Sequence, residues 1–151
     1  MMEGLDIRIV KDREDFRGIS GCDILKKFNW PLPENKYYAA AALDGNFVGF
    51  WDGDVGHHFV SKSIGAKDSC FYSNMIFTRV GNKGIGTEIK RHQLEFAREI
   101  GCKSSYCEVL NPSNIYAIKI QRRLEREFKV RERDMGSEGY QFCFDLWKLD
   151  L

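Results

Sequence analysis

A chain of 151 residues with 43% hydrophobic and 30% charged side chains fits one compact domain and lacks the aromatic-poor, charge-heavy profile of a disordered protein. Lys plus Arg is 23 against 22 for Asp plus Glu, so no global positive field drives association with nucleic acid or membranes, and any anion binding must be local. The five cysteines, Cys22, Cys70, Cys102, Cys107 and Cys143, form no CxxC pair, which argues against a disulfide framework and a structural zinc site and predicts reduced thiols in a cytoplasmic setting. Acids at Glu3 and Asp6 and the lack of any long apolar run predict a soluble protein without a cleaved signal or membrane span.

In chain order, Asp6 to Lys11 alternates Ile7 and Ile9 with charges and predicts a short strand. Asp12 to Phe28 spaces Phe16, Ile19, Ile24, Leu25 and Phe28 as one or two short helices would, and Trp30-Pro31-Leu32-Pro33 stops them. Tyr37 to Leu43 and Phe47 to Trp51 are apolar segments joined by Asp44-Gly45-Asn46, a pairing that suits a tight hairpin. Asp52 to Lys67, with three glycines and His57-His58, reads as a loop or a partly structured excursion. Cys70 to Thr78 is rich in aromatic and β-branched residues, a strand, and runs into the glycine-spaced stretch Arg79 to Gly86. A helix follows on Ile85, Ile89, Phe96 and Ile100, with Gly101 placed for its left-handed end. Ser105 to Leu110 predicts another strand, Asn111-Pro112 a helix N-cap with proline in the first turn, and the helix runs to about Arg126. Phe128 to Met135 and Tyr140 to Leu149 close the chain as a hairpin around Gly136 and Gly139, its last strand alternating Tyr140, Phe142, Phe144 and Leu146 with Gln141, Cys143 and Asp145.

The junction at residues 79–87 carries the chemistry. Strand, glycine-spaced loop and helix leave several N–H groups pointing one way, with the helix dipole adding positive potential at the same spot. Gly84 and Gly86 present no Cβ, Arg79 and Lys83 add charge, and Thr87 offers a hydroxyl, a coherent seat for a pyrophosphate. On glycine spacing alone a tight strand-to-helix turn is an equal alternative. A Walker loop would need lysine after the last glycine, whereas Lys83 precedes Gly84, and the Rossmann glycine triplet is incomplete.

Met75 to Gly86 resembles the acyl-coenzyme A signature Gln/Arg-x-x-Gly-x-Gly/Ala of the GNAT acetyltransferases, with Gly84 and Gly86 matching and Gly81 standing at the Gln/Arg position. Asn111 to Ile120 is similar to that family's helix after strand five, in the style of ribosomal-protein N-terminal acetyltransferases. The resemblance implies a single α/β domain in residues 1–151, with the GNAT fold: a central mixed, mostly antiparallel sheet flanked by helices. It implies acetyl-CoA as cosubstrate, no metal, and direct attack of an amine on the thioester in a ternary complex. It places the coenzyme against Asn74, Met75, Ile76, Arg79, Gly81, Asn82, Lys83, Gly84, Ile85, Gly86 and Thr87, and its pantetheine or acetyl end near Asn111 or Asn114.

Such chemistry depends on holding reactants together, polarising the carbonyl and removing a proton from the amine. Glu108 and the pair His57 and His58 are the candidate bases, His58 being the histidine preferred, although an exposed strand charge or idle loop histidines would look the same. The family's tyrosine acid aligns with Gln121, and the serine of the N-terminal acetyltransferase type with Ala117; Tyr116 is close in sequence but predicted on another side of the helix. A thiol relay through Cys102 and Cys107 is the sharper reading of those residues and inert buried cysteine the simpler one. The acceptor is an amine, small molecule or protein, and exposed aromatics on the terminal strands are compatible with a homodimer. A binding module that keeps the pocket without turnover and a nucleotide-binding protein are the competing functions.

Overall fold

The computed structural model describes residues 2–21, 30, 32, 34–56, 70–79, 81 and 84–148. Among the described residues seven strands form one sheet: β1 (Leu5–Val10), β2 (Lys36–Leu43), β3 (Asn46–Gly56), β4 (Cys70–Thr78), β5 (Ser104–Val109), β6 (Phe128–Asp134) and β7 (Tyr140–Lys148). The described helices, α1 (Ile85–Glu99) and α2 (Ile115–Arg123), lie between them in sequence, and a 3-10 turn (Leu124–Arg126) continues α2. The sheet order is β1-β2-β3-β4-β5-β7-β6, antiparallel at every contact except β4 with β5.

The β2–β3 hairpin turns at Asp44 and Gly45, whose φ values of 51° and 84° both lie in the left-handed region that a two-residue turn of this hand requires. Alanines 39 to 42 show no polar alternation because both faces of β2 are covered. Ala39 and Ala41 join the core under the helices, with Trp51, Phe71, Ile85, Ile89, Leu94 and Phe144. Ala40 and Ala42 join a second core on the opposite face, with Phe16, Tyr38, Phe47 and Phe50.

Four expectations change. β3 continues through Asp52 to Gly56, so the segment read as a loop from Asp52 begins as strand, paired to β4 through Gly56↔Cys70. Between Asp12 and Phe28 the described structure is a 3-10 turn, Arg13–Phe16, closed by a capping box on Asp12; residues 22–29 lie outside the described residues. The cap of α2 is Asn114, whose side chain accepts from the Ala117 amide at 3.2 Å, whereas Asn111 folds back on the Ser113 amide at 2.9 Å. The polar-looking face of β7 is buried too: Cys143 packs with Cys70 and Tyr106, and Gln141 is enclosed.

Candidate functional site

Strands β4 and β5 pair over three positions, Cys70↔Ser104, Phe71↔Ser105 and Tyr72↔Tyr106, and then part. Ser73 to Thr78 on one side and Cys107 to Asn111 on the other line a cleft of about 510 Å³, floored by Asn114, Ala117 and Gln121. Main-chain groups along parted edges lose their ladder partners and need water or a ligand to replace them. At the vertex β4 carries a bulge: Asp52 pairs with Met75 and Gly53 with Ser73, leaving Asn74 without a partner across the ladder. The Asp52 carboxylate accepts from the Met75 amide and from the Tyr38 hydroxyl. Of the three residues expected to meet the acetyl group, Met75 is thus tied to Asp52, Ile76 pairs with Trp51, and Asn74 is the unpaired one.

Gly84 caps α1 with φ +78°, and among the described residues no side chain caps the helix. The first intrahelical bond runs from the Glu88 amide to the Gly84 carbonyl, so among the described residues the amides of Ile85, Gly86 and Thr87 have no acceptor. Among the described residues the buried Thr87 Oγ1 has no hydrogen-bond partner. The Gly84 Cα faces open space, with Met2 Cε at 3.8 Å as the nearest atom to a side chain there. Three orphan amides, an orphan hydroxyl and the positive end of a 15-residue helix fit a pyrophosphate. Gly86 serves packing as well: a Cβ there would meet Ile120 Cδ1 at 2.6 Å and Tyr116 Oη at 2.9 Å, so its absence lets α2 approach the start of α1.

The remaining sequence candidates divide. Arg79 does not aim at the helix start; its guanidinium donates to the Gly21 carbonyl at 2.6 Å and lies over the Phe47 ring at 5.1 Å. Gly81 is exposed with nothing near its Cα, and Asn82, Lys83, His57 and His58 lie outside the described residues. Asn111 and Asn114 both line the cleft. Glu108 lines it too, and its Oε1 accepts from the Tyr106 hydroxyl at 2.6 Å, on the sheet face away from the helices. The third histidine, His92, is structural: Trp51 Nε1 donates to its Nδ1 at 3.1 Å, and burial lowers its pKa.

Two features had no sequence signal that was read. Asp52 is pushed up to about 6, first by burial and then by the neighbouring Asp54 carboxylate. Beneath the cleft, Lys90 is wholly buried, and its Nζ donates to Gln93 Oε1 at 3.0 Å. Lys90 also stands next to Cys107, whose thiol donates to Gln121 Oε1 at 3.5 Å. The helical period places Lys90 on the same face as Gln93 and Ala97, both buried, so an inward lysine was legible from the pattern had charge not argued against it. Among the described residues no cluster of His, Cys, Asp and Glu could hold a metal ion, and no helix is long and apolar enough to cross a membrane.

Solved structures share this fold. An aminoglycoside N-acetyltransferase, AAC(6')-Iy, solved in complex with CoA, superposes with a TM-score of 0.60 at 19% identity over 80% of this chain and 86% of its own. An N-acetyltransferase from Staphylococcus aureus Mu50 gives 0.60 at 11% identity over 97% and 99%. An aminoglycoside acetyltransferase from an uncultured soil metagenomic sample, bound to sisomicin, gives 0.56 at 17% identity over 80% and 86%. These likenesses establish the fold. No curated protein matches the sequence. Residues 10–124 match the acetyltransferase (GNAT) family, a span that holds the parted strands, the bulge and the uncapped helix start, and the chain therefore belongs to that family.

Proposed function

We propose that the protein transfers the acetyl group of acetyl-CoA to an amine by direct attack in a ternary complex. The observation that carries this reading is that the uncapped start of α1 packs, at Gly86, against Tyr116 and Ile120, two residues that line the cleft holding the Asn74 bulge. The amides of Ile85, Gly86 and Thr87 and the Thr87 hydroxyl hold the pyrophosphate, and the edges of β4 and β5 hold the pantetheine arm by main-chain hydrogen bonds. Bound there, acetyl-CoA supplies the activated acyl group. Asp52 anchors the bulge through Met75, so that the Asn74 segment presents its main chain to the acetyl carbonyl. Glu108, with one oxygen fixed by Tyr106, takes the proton of the attacking amine directly or through water.

The acceptor is a small-molecule amine. Support comes from the neighbouring structures, among them aminoglycoside acetyltransferases, and from the carboxylates of Glu108 and Glu138, which line one groove that adjoins the cleft and suit a cationic amine. A protein N-terminus, the acceptor of the ribosomal-protein type, rests on the Asn111 to Ile120 motif alone. The buried, reduced thiols Cys70, Cys102, Cys107 and Cys143 suit a reducing, cytoplasmic setting.

Calorimetry with acetyl-CoA, followed by mass spectrometry of aminoglycosides, polyamines and short peptides incubated with protein and acetyl-CoA, tests the proposal. Saturable binding and a 42-dalton gain, roughly the mass of one acetyl group, on a small amine are expected; no saturable binding sinks it. Gln121 at the position of the family's tyrosine favours a second reading, a coenzyme-binding module without turnover. Binding with no transfer to any amine would select it.

A further inference from the structure

Because β4 and β5 part after Tyr72 and Tyr106, the first β5 residue beyond the vertex is Cys107, which packs on the helix-covered face and lines the cleft. An arm that leaves the first turn of α1 and follows β4 from Thr78 back to Ser73 spans roughly 17 Å, at about 3.3 Å per residue. Its far end, where a thioester sulfur would lie, then stands at the vertex beside Cys107 and Gln121. Gln121 occupies the place where a proton donor is expected, but a carboxamide has no proton acidic enough to give. The thiol that hydrogen-bonds it at 3.5 Å does.

Behind the thiol stands Lys90. It is fully buried; its ammonium meets the Gln93 Oε1 at 3.0 Å and the face of the Phe144 ring at 5.0 Å from the centroid, and stands next to the Cys107 sulfur. A carboxamide oxygen and an aromatic face stabilise the ammonium, and the neighbouring group able to accept a whole proton is the thiolate form of Cys107. Burial lowers the Lys90 pKa, which makes it a stronger acid than a surface lysine, and raises that of Cys107, which keeps the thiol protonated at rest. Such an arrangement is costly for packing alone, since an apolar side chain at position 90 would fill the same space without desolvating a charge.

We propose that Cys107 is the proton donor to the departing coenzyme A sulfur, with Lys90 recharging it and Gln121 holding it in place. The assignment rests on the acetyl-transfer reading above. As the amine nitrogen bonds the acetyl carbon, the carbon–sulfur bond breaks and its electron pair stays on the coenzyme A sulfur. Rotation about the Cβ–Sγ bond turns the Cys107 proton from Gln121 to that sulfur, and an ammonium proton of Lys90 moves to the Cys107 Sγ. The proton lost by the attacking nitrogen leaves through Glu108, and Lys90 regains its own from water once the product has left the cleft. One proton leaves the nitrogen and one arrives on the thiol product, so the step balances without a further reactant.

The test compares wild type with C107A, C107S and K90M in single-turnover acetyl transfer over pH, beside acetyl-CoA calorimetry, thermal unfolding and the pH dependence of Cys107 alkylation in the free protein, read by mass spectrometry. C107A is expected to lower the transfer rate by about 100-fold, with acetyl-CoA affinity nearly unchanged and the unfolding temperature somewhat lower because buried Gln121 and Lys90 lose a neighbour, and C107S to restore part of both losses. In K90M the alkylation profile of Cys107 moves to higher pH, because the ammonium that favours the thiolate is gone. A C107A rate within about twofold of wild type overturns the proposal, as does an alkylation profile that ignores K90M. Should K90M not fold, the C107A and C107S rates decide alone. A wild-type protein that binds acetyl-CoA but acetylates no amine overturns the transfer reading, and the donor assignment with it, and is told apart by the wild-type arm itself.

Discussion

Two buried polar atoms make opposite demands on the protein. Among the described residues Thr87 Oγ1 has no partner, so Thr87→Val removes an unsatisfied group of nearly the same shape. We expect the free protein to keep its stability or gain up to about 1 kcal/mol, while acetyl-CoA affinity falls about fivefold, read by thermal unfolding and calorimetry on the same preparation. Asp52 is the second case. Its carboxyl is raised from 3.8 to about 6 chiefly by burial, so between those values the folded state holds a proton that the unfolded chain releases. Stability from this group is therefore complete below about pH 4 and is lost as the pH rises through about 6. Asp52→Asn should raise the unfolding temperature at pH 7 and lose that advantage by pH 4. Solvent screening of a part-exposed carboxylate holds the gain to about 1 kcal/mol. The same variant should slow transfer, because the bulge at Asn74 loses its charged anchor. Neither residue stood out in the sequence for this reason: Thr87 was expected as a ligand on its position in the first helical turn, whereas Asp52 looked like the start of a loop.

The two helices are held against each other by contacts that the sequence encodes several turns apart. Gly86 lies under Ile120 and Tyr116, which places Tyr116 against the start of α1 although its neighbours in sequence suggested another side of the helix. Arg91 of α1 clamps Glu127 beyond the end of α2, with Nε to Oε1 at 2.8 Å and Nη2 to Oε2 at 2.7 Å, and also binds Glu88 one turn back. Its three-way pairing raises the Arg91 pKa further above an already high value. Arg91→Ala should cost about 1–2 kcal/mol, less than a buried pair because all three side chains are part-exposed. Urea unfolding monitored by circular dichroism would show it as a lower midpoint at an unchanged slope. The helix α1 itself was fully legible, since its apolar spacing, Gly84 and Gly101 agree on one answer. The cap of α2 was not, because Asn111 and Asn114 are both sound cap residues and only the chain's path out of β5 chooses between them.

The cleft is a property of the whole sheet. β4 and β5 are the single parallel pair, and β5 is held on its other side by β7 through six positions, while β4 is held by β3. Each strand follows its antiparallel partner and its right-handed twist, so the two separate once their three shared pairs end. A ligand that bridges the parted edges and the first turn of α1 binds the folded chain alone. Acetyl-CoA at about 100 times its dissociation constant should therefore add roughly 2.7 kcal/mol of stability, seen as an unfolding temperature that climbs with ligand concentration. Local signals, namely residue period, turn chemistry and the Gly84-x-Gly86 spacing, were enough to determine most of each strand, the helix α1, the hairpin at Asp44-Gly45 and the uncapped helix start, because each depends on neighbours a few residues away. The parting of β4 from β5, the seating of Arg79 on Gly21, the burial of Lys90 against Cys107 and the raised pKa of Asp52 were decided only in three dimensions. Each depends on which distant strands lie side by side and on how much water they exclude, and no local pattern carries that.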